Sequence, residues 1–157
     1  VSLEGGKLKG YNTDGKGAFD VIERTMKVSQ KKVVILGAGG TAKALAFEAF
    51  RRGGKVIILN RTEEKAKILA KKVNGKGYHL NDLKEGYDLM INATPLSKEL
   101  PIDPNLILKK ALFFDVISNP KATPFLKAAI QKGCKVIYGN ELFEEQGLKQ
   151  LKIWLRS

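Results

Sequence analysis

The sequence predicts a doubly wound α/β fold, a parallel sheet of about six strands with helices on both faces. Three observations predict it. Short apolar and β-branched runs recur along the chain. Segments with helical apolar spacing separate them. A glycine-rich turn joins the first strong run to the helix that follows.

Taken in order, the first ten residues hold no clear element, and the chain opens on Val1 rather than Met. The expectation is a larger protein whose N-terminal part precedes this segment. Gly15–Met26 stacks Ala18, Ile22 and Met26 at intervals of four, a helical face. Val33–Leu36 is the first strong strand, and alanine-rich Thr41–Arg52 is the helix after it. Val56–Leu59 is a second strand. Glu63–Val73 sets Ala66, Leu69, Ala70 and Val73 on one helical face. A weaker strand falls near Gly77–His79, and stronger ones at Asp88–Asn92 and Leu112–Ile117. Pro101 and Pro104 mark Lys98–Pro104 as a surface loop. Pro124–Lys132 carries Phe125, Ala128 and Ala129 as a helix, and Lys135–Tyr138 is the last strand. Glu141–Leu155 spaces Phe143, Gly147, Leu151 and Trp154 helically. Strands alternating with helices make a parallel sheet covered on both sides. The chain reads as one domain, with a linker and helix over 1–30, a core over 31–138 and a C-terminal helix over 139–157.

Composition bounds the function. A chain of 157 residues suits one domain with a real core. At 43% hydrophobic and 28% charged it belongs to the globular class. The single cysteine, Cys134, excludes an internal disulfide and fits a reducing, cytoplasmic compartment; it reads as a small buried apolar residue. No apolar run approaches the roughly 18 residues of a membrane span. Net charge is +12, but the 28 basic residues are spread in doublets such as Lys31-Lys32, Arg51-Arg52 and Lys71-Lys72, without interleaved aromatics. They read as solvated helix faces rather than a nucleic-acid surface, while still attracting a polyanionic ligand. His79 is the sole histidine and supports neither a catalytic dyad nor a metal site.

The glycine turn sits where the fold argument needs it. Gly37-Ala38-Gly39-Gly40-Thr41-Ala42 follows a strand and opens a helix. It matches G-x-G-x-x-A, a variant of the dinucleotide fingerprint of Rossmann-like sheets. Gly37 makes the tight turn, Gly39 lets a pyrophosphate approach the backbone, and Ala42 is small enough for the helix to pack on the sheet. The helix start, with Gly40 and Thr41, offers free N–H groups to phosphate.

The tip of the second strand then discriminates between cofactors. A carboxylate there would accept from the ribose 2′-hydroxyl of NAD and repel a 2′-phosphate. This chain has Asn60-Arg61-Thr62 instead. Arg61 can bond a phosphate in pairs and stack on adenine. Thr62 can donate a hydroxyl bond and cap the next helix, and Lys65 adds charge one turn on. The reading is NADP(H).

The stretches GYNTDGKGAF, LGAGGTAKA, NRTEEKA, INATPLS, NPKATPFLKAAIQKGC and EEQGLKQLKIWL together resemble, in order, the C-terminal half of the shikimate dehydrogenase family. The resemblance covers nearly the whole chain. It implies an NADP-binding Rossmann domain of an enzyme of aromatic amino acid biosynthesis, which reduces 3-dehydroshikimate to shikimate with NADPH. It implies a cleft between this domain and an N-terminal substrate-binding domain, and a catalytic pair of a Lys from that other domain with Asp14. It further implies substrate contacts from Asn12 and Gln146, and a loop Asn92-Ala93-Thr94 beside the nicotinamide, with Val116 and Gly139 close to the cofactor. The small-molecule substrate and the N-terminal domain are the implied partners, with no nucleic acid or membrane, in a monomer or homodimer. Without the N-terminal Lys the chain alone is expected to be inactive.

Two departures bear on the substrate. Pro95-Leu96-Ser97-Lys98 stands where the family commonly continues Gly-Met, and Ser118 stands where it commonly has a substrate-touching Tyr. They leave open a relative acting on quinate or another cyclohexene acid, or a non-catalytic NADP-binding module.

Overall fold

The computed structural model describes residues 2–4, 7–9 and 14–141, with side chains from Gly15 onward. Six parallel strands form its centre: β3 (Lys32–Leu36), β4 (Lys55–Asn60), β5 (Lys76–His79), β6 (Leu89–Asn92), β7 (Leu112–Asp115) and β8 (Lys135–Ile137). They lie in the order β5-β4-β3-β6-β7-β8. The chain winds outward from β3 through β4 to β5, then returns to the other side of β3 and winds out again. That reversal opens a crevice at the carboxyl ends of β3 and β6, where doubly wound sheets bind ligands.

Residue alternation explains why the strands read as continuous apolar runs. Val33, Ile35, Val56, Ile58, Ile91 and Phe114 enter one core, under three helices. These are α1 (Asp14–Ile22), α2 (Gly40–Arg51) and α3 (Glu63–Lys71). Val34, Leu36, Ile57, Met90 and Phe113 enter the other, under α4 (Pro124–Gln131). There the Phe113 ring meets Phe125 edge-on at 5.6 Å and Tyr87 at 6.2 Å. Such aromatic pairs add about 0.5–1.5 kcal/mol beyond the area they bury.

Several expectations need correction. The first ten residues do contain structure: β1 (Ser2–Glu4) pairs antiparallel with β2 (Lys7–Lys9). Three-residue strands carry too little periodicity to be read. The loop at Lys98–Pro104 is not simply a surface loop. Pro101 and Ile102 are buried, and Ile102 belongs to the second core. The strand expected over Leu112–Ile117 ends at Asp115, because the Asp115 carboxylate accepts the Ile117 N–H at 2.9 Å and turns the chain off the sheet. Cys134 is half-buried, just before β8.

Of the Arg51-Arg52 doublet, Arg51 is exposed as expected, but Arg52 is not a solvated side chain. Arg52 is 12% exposed and bonds Asp20 and Glu23 of the α1 segment and Glu48 of α2. Burial opposes its charge, but the three carboxylates hold its pKa above the ordinary value. The cluster clamps α1 to α2, and Gly15 lets the helices close until a Cβ there would collide with the Ala44 carbonyl. The helix expected over Glu141–Leu155 lies outside the described residues apart from Glu141, which is helical together with residues 139 and 140.

Candidate dinucleotide site

β3 delivers the glycine turn to the carboxyl edge of the sheet. Gly37 has φ +107°, a conformation that strains a side-chain-bearing residue, and its N–H donates to the Leu59 carbonyl at 2.8 Å. Gly39 is the N-cap of α2, with an extended backbone. A Cβ at Gly39 or Gly40 would meet no atom within 4 Å, so both face open space. Ala42 is fully buried against the sheet, as its size requires. Thr41 is half-buried in the first turn, beside exposed Gly40.

β4 delivers the neighbouring tip. The Asn60 side chain donates to the Thr62 carbonyl at 2.9 Å, which orders the tip from within. Thr62 stands at the N-cap of α3, but its hydroxyl makes no capping bond. Arg61, Thr62 and Lys65 are exposed, and neither cation has a carboxylate partner among the described residues. Between the glycine turn and α3 runs a groove of about 290 Å³ lined by Ala38, Lys43, Lys65, Ile68, Leu69 and Lys72. Sequence reading missed Lys43 and Lys72. Lys43 could have been found from its place on the first turn after the glycines, but Lys72 is brought to the groove only by packing.

On the other side of the crevice, Asn92 ends β6 fully buried. Its Oδ1 accepts from the Thr94 N–H at 3.1 Å and the Thr94 hydroxyl at 2.7 Å, which fixes the 92–94 turn. Ala93 and Thr94 are half-buried beside Gly37. Val116 follows β7 half-buried, and Ser118 is exposed in the loop beyond. Gly139 is buried against the Ile117 carbonyl, which a Cβ would overlap. Protein packing therefore accounts for that glycine.

Asp115, in register beside Asn92, was also missed as a site residue. The signal was present: LMIN and LFFD are adjacent buried strands, each ending in a polar residue. Burial pushes its carboxyl up despite bonds from Thr123, Asn92 and the Ile117 N–H.

Asp14 begins α1, and a cleft of about 290 Å³ lined by Gly15, Lys16, Gly40, Lys43 and Phe47 joins that helix start to the glycine turn. The Asp14 side chain, Asn12 and Gln146 lie outside the described residues. The expected residues that are described, from the Gly37 turn to Gly139, gather along one edge of the sheet.

This edge can be compared with known proteins. The shikimate / quinate 5-dehydrogenase family profile matches residues 20–123. The chain belongs to the shikimate / quinate 5-dehydrogenase family. One member, the NADP(+) shikimate dehydrogenase of Archaeoglobus fulgidus, is 35% identical over 160 residues, covering 94% of this chain and 59% of the relative. The chain thus spans about three-fifths of that relative's length. A crystallised shikimate dehydrogenase in complex with NADP+ superposes with a TM-score of 0.89 at 38% identity, covering 99% of this chain and 60% of that one. The ligand-free 5-ketofructose reductase of a Gluconobacter strain matches equally well, with a TM-score of 0.89 at 34% identity, over 100% of this chain and 62% of that one. The doubly wound sheet is thus shared with proteins whose names give different substrates.

Proposed function

We propose that this chain is the NADP-binding half of a shikimate dehydrogenase, whose whole protein reduces 3-dehydroshikimate to shikimate. The observation that carries the reading is the open space at Gly39 and Gly40. Neither backbone conformation nor protein packing asks for a bare backbone there, whereas a pyrophosphate at the α2 start does. The tip of β4 completes the fit. Arg61 and Lys65 stand without a carboxylate partner among the described residues, where NAD would want a carboxylate, and the Thr62 hydroxyl is free to donate. The names of these relatives, which give NADP, support the same reading.

When bound, the reduced nicotinamide supplies a hydride. The chain's own residues bind and orient. The α2 start and Gly39 hold the phosphates, Arg61, Thr62 and Lys65 hold the 2′-phosphate, and Asn92–Thr94 with Val116 and Gly139 border the nicotinamide end. In the family pattern Asp14 pairs with a Lys of the N-terminal domain to hold a substrate hydroxyl and move its proton, with Asn12 and Gln146 against the ring. Most of the rate then comes from alignment across a closed cleft. A cleft with one wall binds cofactor but aligns no substrate.

Arg61→Ala should weaken NADPH binding by about 1.5–3 kcal/mol, the scale of a lost charge-assisted bond, and leave NADH nearly unchanged in titration calorimetry. Equal losses for both would overturn the assignment of the tip. The same preparation, given NADPH and dehydroshikimate, should show no absorbance change at about 340 nm, because the catalytic step needs both general acid–base partners.

One observation favours a second reading. Ser118 and Pro95-Leu96-Ser97-Lys98 alter the substrate side of the site, and a neighbour at 34% identity is named for 5-ketofructose. The whole protein would then act on quinate or another hydroxylated ring or sugar. A panel of such substrates tested on the whole protein separates the two.

A further inference from the structure

Asp115 is a fully buried carboxylate to which the site described above gives no task. Its three hydrogen-bond donors are neutral, and each comes from a different part of the fold. Asn92, at the end of β6, donates its Nδ2 at 3.0 Å. Thr123, the N-cap of α4, donates its hydroxyl at 2.6 Å and accepts the Leu126 N–H in turn. The Ile117 N–H donates at 2.9 Å from the loop after β7. A buried carboxylate with no cation beside it among the described residues is expensive, so packing alone does not explain it. Its chemistry does. Three converging donors require a group that only accepts, and an amide would turn an N–H₂ against one of them.

The consequences reach both loops at this edge. With its Nδ2 fixed by Asp115, Asn92 turns its Oδ1 to the N–H and hydroxyl of Thr94. With its N–H fixed by Asp115, Ile117 presents its carbonyl to Gly139. One carboxylate therefore sets the 92–94 turn, the bend over residues 115–117 and the packing of Gly139. All three lie on the β6–β7–β8 side of the crevice, away from Arg61, which follows β4.

We infer that Asp115 is a positioning residue for the nicotinamide half of the site, holding the two loops that border it while leaving the adenosine half untouched. The inference rests on the NADP reading above. Its test separates the two halves of the ligand. This chain is titrated with NADPH and with 2′,5′-ADP, which carries the adenosine phosphates and no nicotinamide.

In Asp115→Asn, NADPH affinity should fall about tenfold, the scale of one disrupted buried hydrogen bond, while 2′,5′-ADP affinity stays within about twofold. The fluorescence gain of bound NADPH should fall with it, because the nicotinamide is no longer held. Thr123→Val, which removes one donor, should show the same selective loss, and Thr123→Ser should restore it. That pair decides the matter if Asp115→Asn does not fold. Equal losses for both ligands, or unchanged NADPH affinity in a folded variant, would overturn the inference alone. A wild-type chain that binds neither ligand would overturn the NADP reading and this inference with it.

Discussion

Gly39 has an extended backbone that any residue can adopt, with φ −79°, and a Cβ there would touch nothing in the protein. Gly37, two residues earlier, is constrained by its own φ of +107° and by the Ala93 carbonyl, 3.1 Å from where a Cβ would stand. The motif therefore divides into one glycine the fold needs, Gly37, and two, Gly39 and Gly40, for which the protein's own packing gives no reason. Gly39→Val should keep its circular dichroism spectrum and lose NADPH affinity by more than about tenfold, since even one blocked phosphate contact is worth a charge-assisted hydrogen bond. Retained affinity would move the phosphates elsewhere. The glycines and Arg61 were legible because each type has a local chemical reason at its spacing. Asp115 and Thr123 were not, because their meaning depends on strand register and on a cap 8 residues away.

Elements were legible where burial on both faces made long apolar runs, as in β3, β4 and β6. They were fainter where tertiary contacts do the work. β5 is half-buried and edge-lying, and its sequence KGYH hardly reads as a strand. It is tied down partly through Glu85, whose carboxylate meets Lys32 of β3 and Lys76 of β5, both at 2.8 Å. The Lys32 bond, then the Lys76 bond, hold the Glu85 carboxyl down to about 2 from an ordinary 4.5. A depressed carboxylate stabilises the fold fully above its unfolded value and loses that contribution as pH falls through the folded one. Stability should therefore decline between about pH 5 and pH 2, by about 1–2 kcal/mol once solvent screening of the two exposed lysines is allowed for. Urea unfolding of Glu85→Gln should show a lower stability at pH 7 and a flatter acid limb. An identical acid limb would mean that the two lysines leave this carboxylate untouched.

At the scale of the whole molecule, the charge of +12 acquires a direction. Lys32, Lys76 and Arg52 are engaged with carboxylates, whereas Lys43, Lys65 and Lys72, which line the groove at the carboxyl edge, and Arg61 at the tip after β4 stand without carboxylate partners among the described residues. Among the described residues no helix is long and apolar enough to cross a membrane. Uncompensated positive charge on one edge favours the ligand with the extra phosphate, and the preference should be written into global stability. Any ligand that binds only the folded state stabilises it by mass action, by about 2.7 kcal/mol at one hundred times its Kd. For a chain of this size that corresponds to a rise of about 5–10 °C in Tm. NADPH should produce such a rise at concentrations where NADH produces little. Added salt should erode the NADPH shift more than the NADH shift, because it screens Arg61 and Lys65 from the 2′-phosphate they are proposed to hold. Thermal melts against both cofactors at low and high salt measure this directly. Equal shifts with equal salt dependence would mean that the basic edge does not select the phosphorylated cofactor, and that the positive charge serves some other partner.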